Sequence, residues 1–194
     1  MTAPNPGVTP ATQYVSFTAD VNPFTTQALL GLCAQLANKG VSTVHLFIST
    51  PGGQVREGMA AYNILRSMPF KLITHNMGNV DSIGNVIFLA GEERYACPNA
   101  TFMFHGVGVN LDSGRRMERK DLREVLRSLD ADTLRMASII EQRATFAKSS
   151  EVKRLFLEGT VRDANYAKSH GIVHDIRDVK VPAGSPIHQL VFQR

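Results

Sequence analysis

Cysteine is scarce. Cys33 and Cys97 are the only two in 194 residues. Two thiols make neither a disulfide framework nor a metal cluster, so a reducing compartment and no metal or other cofactor are expected. No apolar run reaches the roughly 20 residues that span a bilayer. The opening MTAPNPGVTPAT lacks the basic start and apolar core of a secretory signal. These absences together imply a cytoplasmic protein with no membrane partner. There is also no phosphate-cradling Gly-x-x-x-x-Gly-Lys loop, so any use of ATP belongs to a partner. Charge of one sign is nearly absent as well. The net charge is +4, and in RRMERKDLREVLRSLD (115–130) bases alternate with acids, as on a solvated helix face. No nucleic-acid partner is expected. Repeats of fixed period and low-complexity stretches are missing too.

What is present is a globular composition, 43% hydrophobic and 20% charged, at a length that suits one domain. The Pro- and Thr-rich residues 1–13 are expected to be poorly ordered, with a single domain over 14–194. Apolar periodicity predicts strands over 14–19, 42–50 and 70–78, and a short strand within 95–106 that ends at His105. It predicts helices over 24–40, 55–68 and 82–92. Strand, helix, strand, helix, strand implies an α/β fold with parallel pairing.

A further amphipathic pattern runs from Met117 to Phe146, a helix of roughly 45 Å if continuous at 1.5 Å per residue. A domain of this length has a radius of gyration of roughly 16 Å. The helix therefore overhangs it, and its apolar stripe is covered by another copy of the chain or, if the helix folds back or breaks near Asp130, by the chain's own core.

The segment ISTPGGQVREGM (48–59) reads as a strand, a glycine turn and a helix start. Consecutive glycines let a backbone N–H approach a ligand with no side chain in the way. In MGNVDSIGNVIFLAG (77–91), Ser82 stands where a strand gives way to a buried helix. Two readings stand side by side. Ser82 is a helix N-cap, or it is a nucleophile with the Ile83 N–H beside it and the Gly53 N–H as a second oxyanion donor. A nucleophilic serine needs a base. His105, at a strand end before a glycine-rich loop, is the best placed of six histidines. His45 and His75 lie within strands, and His170, His174 and His188 sit in polar surroundings.

TPGGQVREGM, MGNVDSIGNVIFLAGEERYACPNATFMFHG and YAKSHGIVHDI, in that order, resemble the proteolytic subunit of the Clp protease family. The resemblance covers about residues 14–178. It implies a ClpP/crotonase-type spiral of βαβ units, with 117–146 as a handle helix through which stacked rings interlock. It implies a serine endopeptidase acting on peptides or unfolded protein segments inside a chamber. Ser82 would be the nucleophile, His105 the base, and Gly53 and Ile83 the oxyanion donors. An ATP-dependent unfoldase is the partner such a subunit would use.

The chain departs from the family in two places. Aligning DANYA (163–167) with the family's helix start makes Asp163 an N-cap and sets Gly159 where the family has its third catalytic residue, an aspartate. Glu158 is the nearest carboxylate and is the expected third member, with Thr160 or a backbone carbonyl as the alternative. The segment before the first strand is also shorter than the family's. Two other readings remain: a non-catalytic ring or regulatory subunit, and an acyl-CoA enzyme of the crotonase type. A phage-type processing peptidase is a variant of the protease reading.

Overall fold

The computed structural model describes residues 11–110, 114, 116–146 and 149–192. Most of the leading segment expected to be loose, residues 1–10, lies outside them. Strand β1 (Thr12–Thr18) begins two residues earlier than its apolar pattern suggests, because Thr12 already pairs with Thr43. Helix α1 (Pro23–Asn38) starts at a capping box, with the Asn22 side chain accepting from Thr25 N and Thr25 Oγ1 accepting from Asn22 N. It ends before Gly40, whose φ of 72° reverses the chain.

Strand β2 (Thr43–Thr50), helix α2 (Val55–Ser67) and strand β3 (Lys71–Asp81) follow. The strand expected over 70–78 does not turn at Gly78. It continues to Asp81 through a bulge, where pairing with β2 jumps from Ile48↔Asn76 to Thr50↔Val80. The long buried helix expected over 82–92 is instead a short α3 (Gly84–Phe88) closed by turns. A further strand not foreseen, β4 (Glu93–Ala96), precedes the short strand expected to end at His105, which is β5 (Thr101–Phe104).

Both pair with β3, at different heights. β4 lies along Ile73–Asn76 and β5 along Asn79–Asp81. The bulge makes this fork possible, since it bends β3 between its two partners. Helix α4 (Arg119–Arg143) is 25 residues, roughly 37 Å long. Helix α5 (Ser149–Glu158), strand β6 (Thr160–Asp163), helix α6 (Ala164–Ser169) and strands β7 (Asp175–Ile176) and β8 (Ile187–Gln189) complete the chain.

The sheet order is β6-β5-β3-β2-β1-β8, with β4 branching from β3 to β7. Pairing is parallel except between β5 and β6. Residues of β1, β2, α1, α2 and α3 fill the core, with Phe17, Leu29, Leu46, Ile48, Leu65 and Phe88 inaccessible or nearly so. The other face of the sheet is half-buried. There Tyr14 stacks on His45, whose Nδ1 is 2.9 Å from His75 Nε2, and Tyr95 leans on His75.

The long helix divides along its length. Met136, Ala137 and Ile140 enter the core, while Leu122 and Leu126 in its first half are exposed. The apolar stretch 187–192 packs on its own chain. β8 pairs with β1, and Phe192 meets Phe17 and Phe24 edge-on.

Candidate functional site

The glycine turn after β2 is built by close backbone approach. Val21 N–H donates to Gly52 O and Gln54 N–H to Val21 O, both at 2.7 Å. A Cβ on Gly53 would sit 2.2 Å from Val21 O, and φ there is 148°. A Cβ on Gly52 would sit 2.7 Å from the Cβ of Ser82 and from Asp81 O. The two glycines thus let the turn lie against β1's outgoing loop on one side and against Ser82 on the other. Gly52 N–H donates to Thr50 Oγ1. The Gly53 N–H has no protein acceptor among the described residues, and neither has that of Ile83.

Ser82 has a φ of 56°, alone among the described non-glycine residues in being positive. A side chain in the left-handed region costs about 1–2 kcal/mol, so something must hold it. Ser82 N–H donates to Met103 O at 2.8 Å. The buried Asn85 amide donates both to Ser82 O, at 3.0 Å, and to Met103 O, at 2.8 Å. These bonds tie the serine to β5, two residues short of His105. Ser82 is not the N-cap of α3. Ile83 holds that position and no side chain caps the helix, so the capping reading of Ser82 is overturned.

Ser82, Gly53 and His105 line one cavity of about 940 Å³. No hydrogen bond joins Ser82 to His105 among the described residues. The far wall is α4, through Ser128, Leu129, Asp132 and Arg135, with Arg135 Nη2 donating to Asp132 Oδ1. Sequence reasoning missed this contribution, as it missed Asn85. Charges spaced along a helix look the same whether they face water or a cleft.

Glu158 is not brought to the cavity. It lies at the end of α5 and pairs with Arg154 at 3.3 Å. β5 and β6 pair Phe104 with Thr160, so one further step of the antiparallel register sets His105 opposite Gly159. Gly159 has a φ of 63°, and a Cβ there would meet nothing within 4 Å. Thr160 Oγ1 is buried without a hydrogen-bond partner among the described residues. Thr160 shares the register of Phe104, so alternation of side chains sends it to the face away from His105. Asp163 is an N-cap as expected, accepting from Tyr166 N–H at 2.8 Å. The remaining histidines have local partners. His170 stacks on Tyr166, His174 Nδ1 accepts from Arg94 N–H, and His188 bonds Gln13.

Among the described residues no group of three or more His, Cys, Asp or Glu is arranged to hold a metal ion. Nor, among the described residues, is any helix long and apolar enough to cross a membrane.

A mostly parallel, forked α/β sheet with its cavity at the strand ends is the architecture of Clp-type proteolytic subunits. It superposes on the ClpP1 N165D mutant from Listeria monocytogenes with a TM-score of 0.73 at 20% identity, covering 87% of this chain and 92% of that one. Against the ClpP protease catalytic domain from Plasmodium falciparum the TM-score is 0.68 at 21% identity, covering 89% and 88%. The chain belongs to the Clp protease family, whose model matches residues 12–180. Its sequence is 28% identical over 172 residues to the ATP-dependent Clp protease proteolytic subunit 1 of Streptomyces coelicolor, covering 85% of this chain and 71% of that one. It is 38% identical over 87 residues to the subunit 1 of Corynebacterium jeikeium, 40% of this chain and 46% of that relative. The chain thus spans about half the length of that relative.

Proposed function

We propose that this chain is a serine peptidase subunit in which Ser82 attacks a peptide carbonyl and His105 is the general base. One observation carries the reading: a serine held in a left-handed backbone conformation shares a cavity with a histidine and with a glycine whose N–H has no protein acceptor. His105 takes the Ser82 proton as the Oγ–carbon bond forms. The N–H groups of Gly53 and Ile83 receive the oxyanion. His105 then returns the proton to the leaving amine. Water, deprotonated by the same imidazole, releases the acyl group and restores Ser82.

Membership of the Clp protease family supports a peptidase. It also favours peptides or unfolded segments as substrates and an unfoldase as the source of ATP-driven delivery. Leu122 and Leu126, exposed on the first half of α4, support assembly through that helix, which in stacked rings would enclose the cavity in a chamber. The soluble composition fits a cytoplasmic location.

Gly159 opposite His105 favours a second reading, a ring subunit with weak or no hydrolysis. Labelling with a fluorophosphonate probe separates the two. The peptidase reading expects labelling lost in Ser82→Ala, together with peptide cleavage. Wild-type protein that takes no label and cleaves no peptide in its assembled form refutes it. Native mass measured on the same sample tests the rings.

A further inference from the structure

A second cavity, of about 510 Å³, opens where α2, α4 and the segment before β7 meet. It shares no lining residue with the cavity of Ser82. Its wall holds Arg66, Arg94, Arg143, His174, Gln142 and a single carboxylate, Glu92. Arg66 and Arg143 stand in the last turns of their helices, where carbonyl ends attract cations. That explains why arginines gather here. It does not account for all of their donors.

Arg94, only 4% exposed, is spent on structure. It donates to the carbonyls of Ile172, Gly91, Arg143 and Gly171 at 2.8–3.1 Å. Arg143 donates to Leu89 O and Gly91 O at 3.1 and 2.8 Å, which leaves further N–H groups uncommitted. Arg66 donates no hydrogen bond among the described residues. No carboxylate oxygen among them lies within 4.0 Å of any of the three guanidiniums. His174 Nδ1 accepts from Arg94 N–H at 3.0 Å, so the neutral ring carries its proton on Nε2.

Burial, and then the charges of Arg143 and Arg66, hold the Arg94 pKa down to about 10. Burial and Arg66 likewise lower that of Arg143, against smaller opposing effects of Tyr62 and Glu92. Three like charges kept together, with Glu92 as the one carboxylate on the wall and beyond ion-pair distance of each, are a frustrated arrangement that an added anion would relieve. We propose that this cavity binds an oxyanion of the phosphate class, held by Arg66, the free N–H groups of Arg143 and the Nε2–H of His174. Converging guanidiniums suit the spread oxygens and double charge of phosphate better than a single carboxylate.

The test uses the whole chain, with inorganic phosphate and glycerol phosphate titrated separately against sodium chloride at matched ionic strength. Binding is read as a saturable rise in Tm and by calorimetry. A rise of several degrees is expected for inorganic phosphate. If glycerol phosphate gives the same rise, the site takes phosphomonoesters; if not, it takes the free ion. Arg66→Glu and His174→Gln should each weaken binding at least tenfold, while Ser82 labelling stays unchanged. Arg66 is exposed, so folding should survive. The proposal is overturned if neither phosphate raises Tm beyond chloride, or if both variants bind as wild type does. Because binding is read without peptide cleavage, this outcome is independent of the reading of Ser82.

Discussion

Ser82 offers a comparison whose sign is diagnostic. At an ordinary position, alanine is more stable than glycine by about 0.5–1 kcal/mol, because glycine loses more backbone freedom on folding. At φ 56° the balance should invert, since any Cβ there bears a left-handed penalty of about 1–2 kcal/mol that glycine escapes. The net expectation is that Ser82→Gly exceeds Ser82→Ala by about 1 kcal/mol or somewhat less. A cavity penalty for the lost Cβ would oppose this. Ser82 opens onto the 940 Å³ cavity, however, so its removal leaves no sealed void. For a chain of this size the difference is about 2–4 °C in Tm. Both variants should fail to label, so the gain in stability is separated from activity. The assay is scanning calorimetry at equal protein concentration, because assembly makes Tm concentration-dependent. If Ser82→Ala melts at or above Ser82→Gly, the left-handed serine and the strain argument are wrong.

Three further outcomes follow from the same geometry. Gly53→Ala drives a Cβ to 2.2 Å from Val21 O, so kcat/KM on a fluorogenic peptide should fall at least about 100-fold, with a lower Tm, as the oxyanion donor is displaced. Gly159→Asp places a carboxylate opposite His105 in a conformation that Asp tolerates, and the rate of fluorophosphonate labelling should rise about tenfold or more; an unchanged rate would remove Gly159 from the account. His75 is held down to about 3, chiefly by burial and then by His45, so the folded protein keeps it neutral where the unfolded chain would protonate it. Its folded pKa lies below the unfolded value of about 6.5, so stability is lost as pH falls below that value. Between pH 7 and 5 the loss should be about 2 kcal/mol from this residue. Urea midpoints for wild type and His75→Leu at both pH values check this, the variant showing the smaller loss.

Much of the fold was legible because its signals are local. β2 reads as a buried strand because β-branched and apolar residues crowd 43–50, and α1 stops where Gly40 permits a positive φ. The placement of Ser82 and His105 just past strand ends was legible as well. The long helix was legible as an element, but not which of its residues face the cavity. The fork of β3 was not legible at all. Whether a strand crosses Gly78 or turns there depends on β4 and β5 competing for its edge, and no local pattern records that contest.

Local pattern alone set the alternation of strands and helices from β1 to α3 and the places where glycine had to stand. Those follow from side-chain periodicity and backbone sterics, which act over a few residues. It took the folded chain to show that Ser82 is strained rather than capping and that Glu158 turns to Arg154. The fold also decided that three arginines far apart in the chain share one cleft. Such facts depend on which distant carbonyls and charges come within hydrogen-bond range, and proximity of that kind is a property of the folded chain as a whole.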